Sequence, residues 1–474
     1  MAIQHEEVPD YPDREADYHE AQDVKENLET TPPEGEVIGH PVIMVAESYV
    51  GGDLERLTSG LRRMGLEGRG FLQPDDYFEW VGQVRRSSNF GGWCRAGEFH
   101  RAGTERKWMG TIAVEMPPEF ARISLRAYAP TPAVVVLTAI FELSDNASGL
   151  LDEELRTNRY LRLEREGSVT TYKSAAHRKG EAVRAERERI QGLAEKWMAK
   201  NVPGTLSRDF PELSLPAIDF LSTRLVRPFE HTESDGRFDH RTLLSIHNVM
   251  DVWESESHQG WRVSLPWRSS DDGWTLVAGA IDDPGFVYDG TFQKDQEVKP
   301  HPREVGRLDD YFGPLLVRWA LSRLASAYEG QLAQIRDAIA STPEPRRFRR
   351  SPRKAALEMA TGVLSTTSFD ASVFAHEVHE MAGTKWRWRR DVGDWEPVDD
   401  FARRRRHSDL ASTLGRSLER RSEWITDLES RLRDQLMTST NLEVAAVNIS
   451  LQRQVFWLTL LAVGVAVVTL FATA

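Results

Sequence analysis

The side chains best suited to chemistry lie in one short stretch, His376-Glu377-Val378-His379-Glu380. On an α-helix His376, His379 and Glu380 fall on one face, because residues three and four apart are neighbours there. Two imidazoles and a carboxylate can bind a divalent cation. The spacing differs from the HExxH motif of zinc proteases, in which the histidines are four apart with the glutamate between them. The stretch therefore predicts a divalent-cation site, with a plain polar helix surface as the alternative.

The sequence carries no other catalytic signature. It contains no phosphate-binding loop, no dinucleotide fingerprint and no G-x-S-x-G nucleophile elbow. Its lone cysteine, Cys94, excludes an intramolecular disulfide and is more typical of a small buried residue than of a nucleophile. We therefore predict a protein that is not an enzyme and that holds no resident cofactor other than the divalent cation considered above.

Basic and aromatic residues cluster in the last third of the chain, which predicts a surface that faces lipid headgroups. Arginine is attracted to anionic lipid and tryptophan favours the headgroup layer. A surface of ordinary ion pairs is the alternative. The residues of this predicted membrane surface are Arg346, Arg347, Arg349, Arg350, Trp386, Trp388, Arg403, Arg404, Arg405, Arg406, Arg453 and Trp457.

Charge gives no reason to expect a nucleic-acid partner. The net charge is −13, and residues 1–36 alone hold twelve Asp and Glu against one Arg and one Lys. The rest of the chain is therefore close to neutral, whereas nucleic-acid-binding domains carry a basic patch or stripe.

The last twenty residues, Val455 to Ala474, contain no charged side chain. At about 1.5 Å per residue a helix of this length measures about 30 Å, the thickness of the hydrocarbon core of a bilayer. Arginines precede this segment and none follows it, which places the N-terminal part on the cytoplasmic side. The segment therefore predicts a single transmembrane helix and a location in the cell membrane.

Apolar residues at coiled-coil spacing occur just before that segment. Leu414, Leu418, Ile425, Leu428 and Leu432 are separated by four, seven, three and four residues. This seam predicts either self-association of stalk helices or docking of the helix on the protein's own domain.

The elements that would position these residues follow from periodicity and turn signals. The fold predicted is an α+β or α/β cytoplasmic domain on a long helical stalk with one C-terminal transmembrane helix. The segments are a disordered acidic tail over 1–36, a sheet-containing domain over 37–150, a charged helical region over 151–204, a β-hairpin with a helical region over 205–342, a basic Trp/Arg-rich linker and helix over 343–407, a stalk helix over 408–454 and the transmembrane helix over 455–474.

The stretch from Leu436 to Val468 resembles the stalk and first span of the CorA-type divalent-cation transporter superfamily. Asn441 and Asn448 lie upstream of an apolar helix that contains Leu458-Thr459. The resemblance implies a homo-oligomeric ring with a large cytoplasmic domain. The chain departs from the family because it has neither the Gly-Met-Asn loop nor a second span, so the family's ion selectivity is not implied.

Together these features predict a C-terminally anchored membrane protein with a sensor or scaffold domain that self-associates through stalk and span. Its partners would be membrane lipid and further copies of itself. A CorA-like oligomeric ion channel or transporter is one alternative. A membrane-tethered metal-dependent enzyme is the other.

Overall fold

The chain is seen here as a computed structural model, which describes residues 16–66, 92–103, 112–166, 169–229, 252–256, 260–265, 274–281, 302–340, 369–383, 392, 395–398 and 409–473. The strands are β1 Ile38–Val50, β2 Gly92–Arg101, β3 Ile112–Val114, β4 Phe120–Thr131, β5 Val134–Leu143, β6 Arg162–Glu166, β7 Val169–Lys173, β8 Ala217–Thr223, β9 Val252–Ser255, β10 Arg262–Ser264, β11 Thr275–Ile281 and β12 Trp395–Pro397. The helices are α1 Ala16–Thr30, α2 Asp53–Arg63, α3 Asp145–Arg156, α4 Ala175–Asn201, α5 Thr205–Asp209, α6 Pro302–Ala340, α7 Phe369–Gly383 and α8 Leu410–Thr473.

Strand β1 lies near the middle of a ten-stranded mixed sheet in the order β12-β9-β10-β11-β8-β1-β5-β4-β2-β3. It is antiparallel to β8 on one side and to β5 on the other. Its residues from Val42 to Val50 are all buried. A near-continuous apolar run is expected for a strand that is covered on both faces, and the Val42-Ile43-Met44-Val45-Ala46 run meets that expectation.

The sheet consists mainly of two groups of four strands, and the first strand of each group lies beside the last strand of that group in the same way. In the first group β1 lies beside β5, followed by β4 and β2, and in the second group β8 lies beside β11, followed by β10 and β9. The two groups differ in the relative direction of their first two strands: β1 and β5 are antiparallel, whereas β8 and β11 are parallel. The sheet therefore draws its strands from the predicted segments 37–150, 205–342 and 343–407. Strands β10 and β11, which lie in the segment predicted to hold a hairpin, pair antiparallel.

Helices cover both faces of the sheet. Successive side chains of a strand point to opposite faces, and β8 shows both. Leu221 packs in a buried cluster with Val183 of α4, whereas the ring of Phe220 lies 5.6 Å from the ring of Phe312 of α6. The protein is therefore an α+β fold in which α4 and α6 enclose the sheet.

The chain divides into two compact units. The first comprises Met1–Ala327 with His376–Arg421 and holds the sheet. The second comprises Tyr328–Ala375 with Ser422–Ala474, and in it the rings of Tyr328 and Phe374 lie 5.5 Å apart.

The acidic segment predicted as a disordered tail is ordered over its described part, residues 16–36. Helix α1 forms there, and the buried Asp23 carboxylate accepts the backbone N–H of Leu161 at 3.0 and 3.1 Å. The Glu36 carboxylate is 1% exposed and accepts the N–H groups of residues 224, 225 and 226 at 2.6, 3.0 and 2.8 Å. The amino-acid composition indicated disorder because this segment is rich in acidic residues. Composition does not show that backbone N–H groups elsewhere in the chain stabilise these carboxylates.

The prediction of a transmembrane helix over 455–474 is wrong. Among the described residues, no helix combines the length and the apolar character that crossing a membrane requires. The apolar segment is the end of the 64-residue helix α8, and its described side chains run from Val455 to Val465.

The statements that depended on this helix are corrected with it. They are the C-terminal anchor, the single-pass topology and the location in the cell membrane, each of which required a span. The ion-channel reading and the membrane-tethered enzyme reading required it too, so neither is retained.

Close packing at the N-terminus of α5 gives a first test of the fold. The Glu47 carboxylate is fully buried and accepts the backbone N–H groups of Ser48, Leu206 and Ser207 at 2.8, 3.0 and 3.0 Å. Gly204 fits against it because it has no Cβ. A Cβ there would lie 2.6 Å from the Ser48 carbonyl oxygen and closer still to the Glu47 side chain.

We expect Gly204→Ala to destabilise the protein by about 1–3 kcal/mol, because the backbone carbonyl of Ser48 cannot move aside. Gly180→Ala is the matched control, since a Cβ at that position of α4 meets nothing within 4 Å. In a helix interior this control should stabilise by up to about 1 kcal/mol. Urea unfolding of both variants measures the difference, and a shift of the same sign in both would contradict the packing described.

Candidate functional site

The residues predicted to bind a divalent cation lie on α7. His376 Nε2 is 3.7 Å from Glu380 Oε1, and the two side chains are 74% and 65% exposed. Glu377 faces elsewhere, since its Oε2 accepts the backbone N–H of Ala133 at 2.7 Å. Nowhere in the described part of the chain do three or more His, Cys, Asp or Glu side chains converge in a way that could hold a metal ion. The site at His376, His379 and Glu380 thus gains no support and stays a prediction.

Most of the predicted membrane surface lies outside the described residues. This holds for Arg346, Arg347, Arg349, Arg350, Trp386, Trp388, Arg403, Arg404, Arg405 and Arg406. The other two, Arg453 and Trp457, are exposed on α8. No observation tests the lipid contact predicted for them.

The predicted seam of α8 is buried within a single chain. Leu418 and Ile425 are fully buried, and Leu414, Leu428 and Leu432 are at most 8% exposed. The sequence left open whether this seam pairs with another copy or docks on its own chain. These side chains are already buried by the same chain, and the self-association predicted for the seam stays a prediction.

Two polar clusters that the sequence did not single out lie inside the sheet domain. The first joins β1, β8 and α4. The Nε2 atom of His40 lies 2.9 Å from Asp219 Oδ1, and Arg187 Nε donates to Asp219 Oδ2 at 2.5 Å. Although burial opposes ionisation, Arg187 and His40 hold the pKa of Asp219 at about 2. His40 is 1% exposed, so His40 and Asp219 cannot contact a substrate. Their interaction, together with that of Arg187, holds β1, β8 and α4 together.

The second cluster joins β4 to α6. Arg126 is 5% exposed, forms an ion pair with Asp309 and donates from Nη1 to Asp310 Oδ1 at 2.7 Å. The Trp93 ring lies 4.0 Å from the guanidinium carbon and remains half exposed. The cation is therefore held between two carboxylates and one aromatic face, an arrangement that stabilises a charge at the edge of a buried region.

Asp309 is the titratable group of this second cluster. Burial raises its pKa to about 6, although the neighbouring Arg126 acts in the opposite direction. The hydroxyl of Tyr128 lies 3.3 Å from Asp309 Oδ1, and burial raises the pKa of that hydroxyl too. A signal was present in the sequence, since Arg126 stands between the apolar residues Leu125 and Ala127 of a strand and Asp309-Asp310 precedes the apolar face of α6.

No known protein family, curated protein or solved structure matches the chain. The resemblance of residues 436–468 to CorA-type transporters therefore stays a prediction. The function proposed below rests on the residues and their geometry.

The distal part of α8 carries a series of exposed apolar side chains. Its apolar side chains are each more than half exposed, and soluble monomers rarely expose large contiguous apolar patches. The residues are Met437, Ile449, Leu451, Val455, Phe456, Trp457, Leu458, Leu460, Leu461, Val463 and Val465. We take this surface, called the distal face below, as the candidate interface.

The pKa of Asp309 predicts how the stability of the protein depends on pH. At about 6 it exceeds the ordinary value of about 4, so the folded state binds this proton more tightly than the unfolded state. The stability due to this group is therefore fully present below about pH 4 and is lost as the pH rises through 6. The side chain introduced by Asp309→Asn cannot ionise. The free energy of unfolding of this variant should therefore not show the decrease that Asp309 causes as the pH rises through 6.

Urea titrations between pH 4 and 7 measure the difference between wild type and Asp309→Asn. Asp337→Asn is the control, because that side chain of α6 is 69% exposed, pairs with Arg336 and lies outside the Arg126 cluster, so it should leave the wild-type pH dependence in place. Parallel pH profiles for wild type and Asp309→Asn would show that Asp309 does not titrate in this range.

Proposed function

We propose that this protein is an assembly module whose copies associate through the distal face of α8. The observation that carries the proposal is the extent of exposed apolar side chain on that helix. Burial of such surface is the main driving force of protein association. The sheet domain would be the part that the assembly presents.

The sequence of the distal part of α8 contains a heptad repeat. Met437, Val444, Leu451, Leu458 and Val465 are each seven residues apart, and Val447, Gln454 and Leu461 occupy the position three residues after the second, third and fourth of them. Repeats of this kind let helices pack side by side as coiled coils. The polar Gln454 in the repeat would fix the register at some cost in stability.

This repeat begins on a different side of the helix from the buried seam. Met437 follows Leu432 by five residues, which turns the helix by about 140° at 3.6 residues per turn. Leu432 is 1% exposed and Met437 is 55% exposed. The seam can therefore remain docked on its own chain while the distal face meets a partner.

The partner that fits best is a second copy of this chain. An identical helix supplies the same repeat in the same length, and closed symmetric assemblies of identical subunits are the commonest kind. Like charges beside the repeat would oppose such pairing, but the flanking positions Asn441, Asn448 and Ser450 are uncharged and Glu443 alone is acidic. Identical copies can thus approach with little repulsion.

Sedimentation of the full-length protein in detergent-free buffer tests the proposal. We expect an oligomer for the wild type. Leu458→Glu should weaken its association by at least about tenfold, because it puts a charge where association would bury a leucine of the repeat. Thr459→Glu is the matched control, since Thr459 is also exposed on α8 but lies outside both the repeat and the distal face.

Three results would contradict the proposal. One is a wild-type protein that is monomeric at micromolar concentration. Another is equal loss of association in the two variants, which would mean that the repeat does not direct the pairing. The third is capture of the monomeric wild type by lipid vesicles instead of by copies of itself.

A further inference from the structure

Lys179 is a lysine in the interior of the protein. It lies on α4 and is 0% exposed, whereas Lys196 and Lys200 of the same helix are exposed. Its Nζ donates to Thr31 Oγ1 at 3.0 Å, and no carboxylate in the described chain forms an ion pair with it. Lysines are almost never fully buried unless they are paired. A buried amine without a counter-charge calls for an explanation.

The sequence itself places Lys179 on the buried face of α4. Ala175, Lys179 and Val183 follow one another at intervals of four, and the first and last of these are fully buried. This spacing keeps all three on one stripe of the helix. Lys179 is therefore directed inward by the helix and is not a surface lysine that has folded back.

Arg159 is connected to this amine by hydrogen bonds, because Thr31 Oγ1, the acceptor of Lys179 Nζ, donates in turn to the carbonyl oxygen of Asn27 at 2.6 Å. Its backbone N–H donates to Asn27 Oδ1 at 2.9 Å and its backbone carbonyl accepts from Asn27 Nδ2 at 2.6 Å. Its Nη2 donates to Glu154 Oε2 at 2.6 Å, but its Nε is buried and has no hydrogen-bond partner in the described chain. A buried donor without an acceptor is unfavourable, so an added acceptor at this nitrogen would be stabilising.

The environment favours the neutral amine. Burial, and then the positive charge of Arg159, lower the pKa of Lys179 to about 8. At pH 8 about half of a group with that pKa is deprotonated, roughly a hundredfold more than for an ordinary exposed lysine. The lone pair needed for nucleophilic attack is thus available close to neutral pH.

We propose that Lys179 is a carbamylation site that takes up carbon dioxide, with the Arg159 guanidinium beside it as the counter-charge. The Nζ lone pair attacks the carbon of CO₂ and forms an N–C bond, while one C=O π pair moves onto oxygen. One proton then leaves Nζ for solvent base. The product is a carbamate anion and one released proton, and no oxidant or reductant takes part.

The burial of Lys179 selects this electrophile over larger ones. A side chain that is 0% exposed can be reached by a small uncharged molecule but not by an aldehyde or ketone substrate, which needs a cavity of its own. The carbamate would also supply the acceptor that Arg159 Nε lacks. The inference is independent of the assembly proposed for α8.

Peptide mapping of the full-length protein tests this assignment. The protein is equilibrated with ¹³C-labelled bicarbonate at pH 8 and is then alkylated while denaturant unfolds it, so that the reagent reaches the buried carbamate. The modified lysines are located by mass spectrometry. We expect the label on Lys179 at an occupancy at least about tenfold above that on Lys200, as its larger neutral fraction requires. No label on Lys179, or equal label on both lysines, would overturn the proposal.

Carbon-13 NMR of variants gives a second readout. The carbamate signal of the wild type should be lost in Lys179→Met and kept in Lys200→Met. A signal that persists unchanged in Lys179→Met would belong to another amine and would also overturn the proposal. Because the mapping experiment uses the wild-type protein, it decides the question even when Lys179→Met does not fold.

Discussion

The fold depends on strand β1 being buried in the middle of the sheet. Its backbone donors and acceptors are used by β8 on one side and β5 on the other, so two separate parts of the chain must meet on it. Helices α4 and α6 can pack only once that surface exists. In the sheet, β1 is the element through which the β8–β11 group joins the β2–β5 group.

Burial of β1 is demanding because the strand carries polar side chains into the interior. His40 and Glu47 are both almost completely buried. Each is satisfied by a distant element, His40 by Asp219 of β8 and Glu47 by the first N–H groups of α5. Since an unpaired polar group in the interior is strongly unfavourable, these contacts fix which strand lies beside β1 and where α5 begins.

Carboxylates serve the same purpose elsewhere in the domain. Asp23 and Glu36 accept backbone N–H groups far from them in sequence, and Asp309 neutralises Arg126 between the sheet and α6. Lys179 stands apart from this pattern, because the described chain gives it a hydroxyl and a neighbouring cation in place of a carboxylate. The difference between Lys179 and the satisfied clusters is what makes it a candidate for chemistry.

The sequence by itself determined the local elements whose pattern is strong. The apolar run of β1, the neighbouring strands β4 and β5, the β10–β11 pair and the long helix α8 all follow from periodicity and turn residues, because these signals act over a few residues. The sequence also determined that Lys179 belongs to an apolar helix stripe, although this was not used in the prediction.

Only the tertiary structure decided which surfaces these elements bury. The acidic residues of 16–36 are ordered because their acceptors meet backbone donors more than a hundred residues away. The seam from Leu414 to Leu432 is covered by its own chain, whereas the apolar side chains beyond it are exposed. An apolar pattern in the sequence predicts that one face of a helix is buried. Which residues bury that face depends on three-dimensional contacts, which the pattern does not predict.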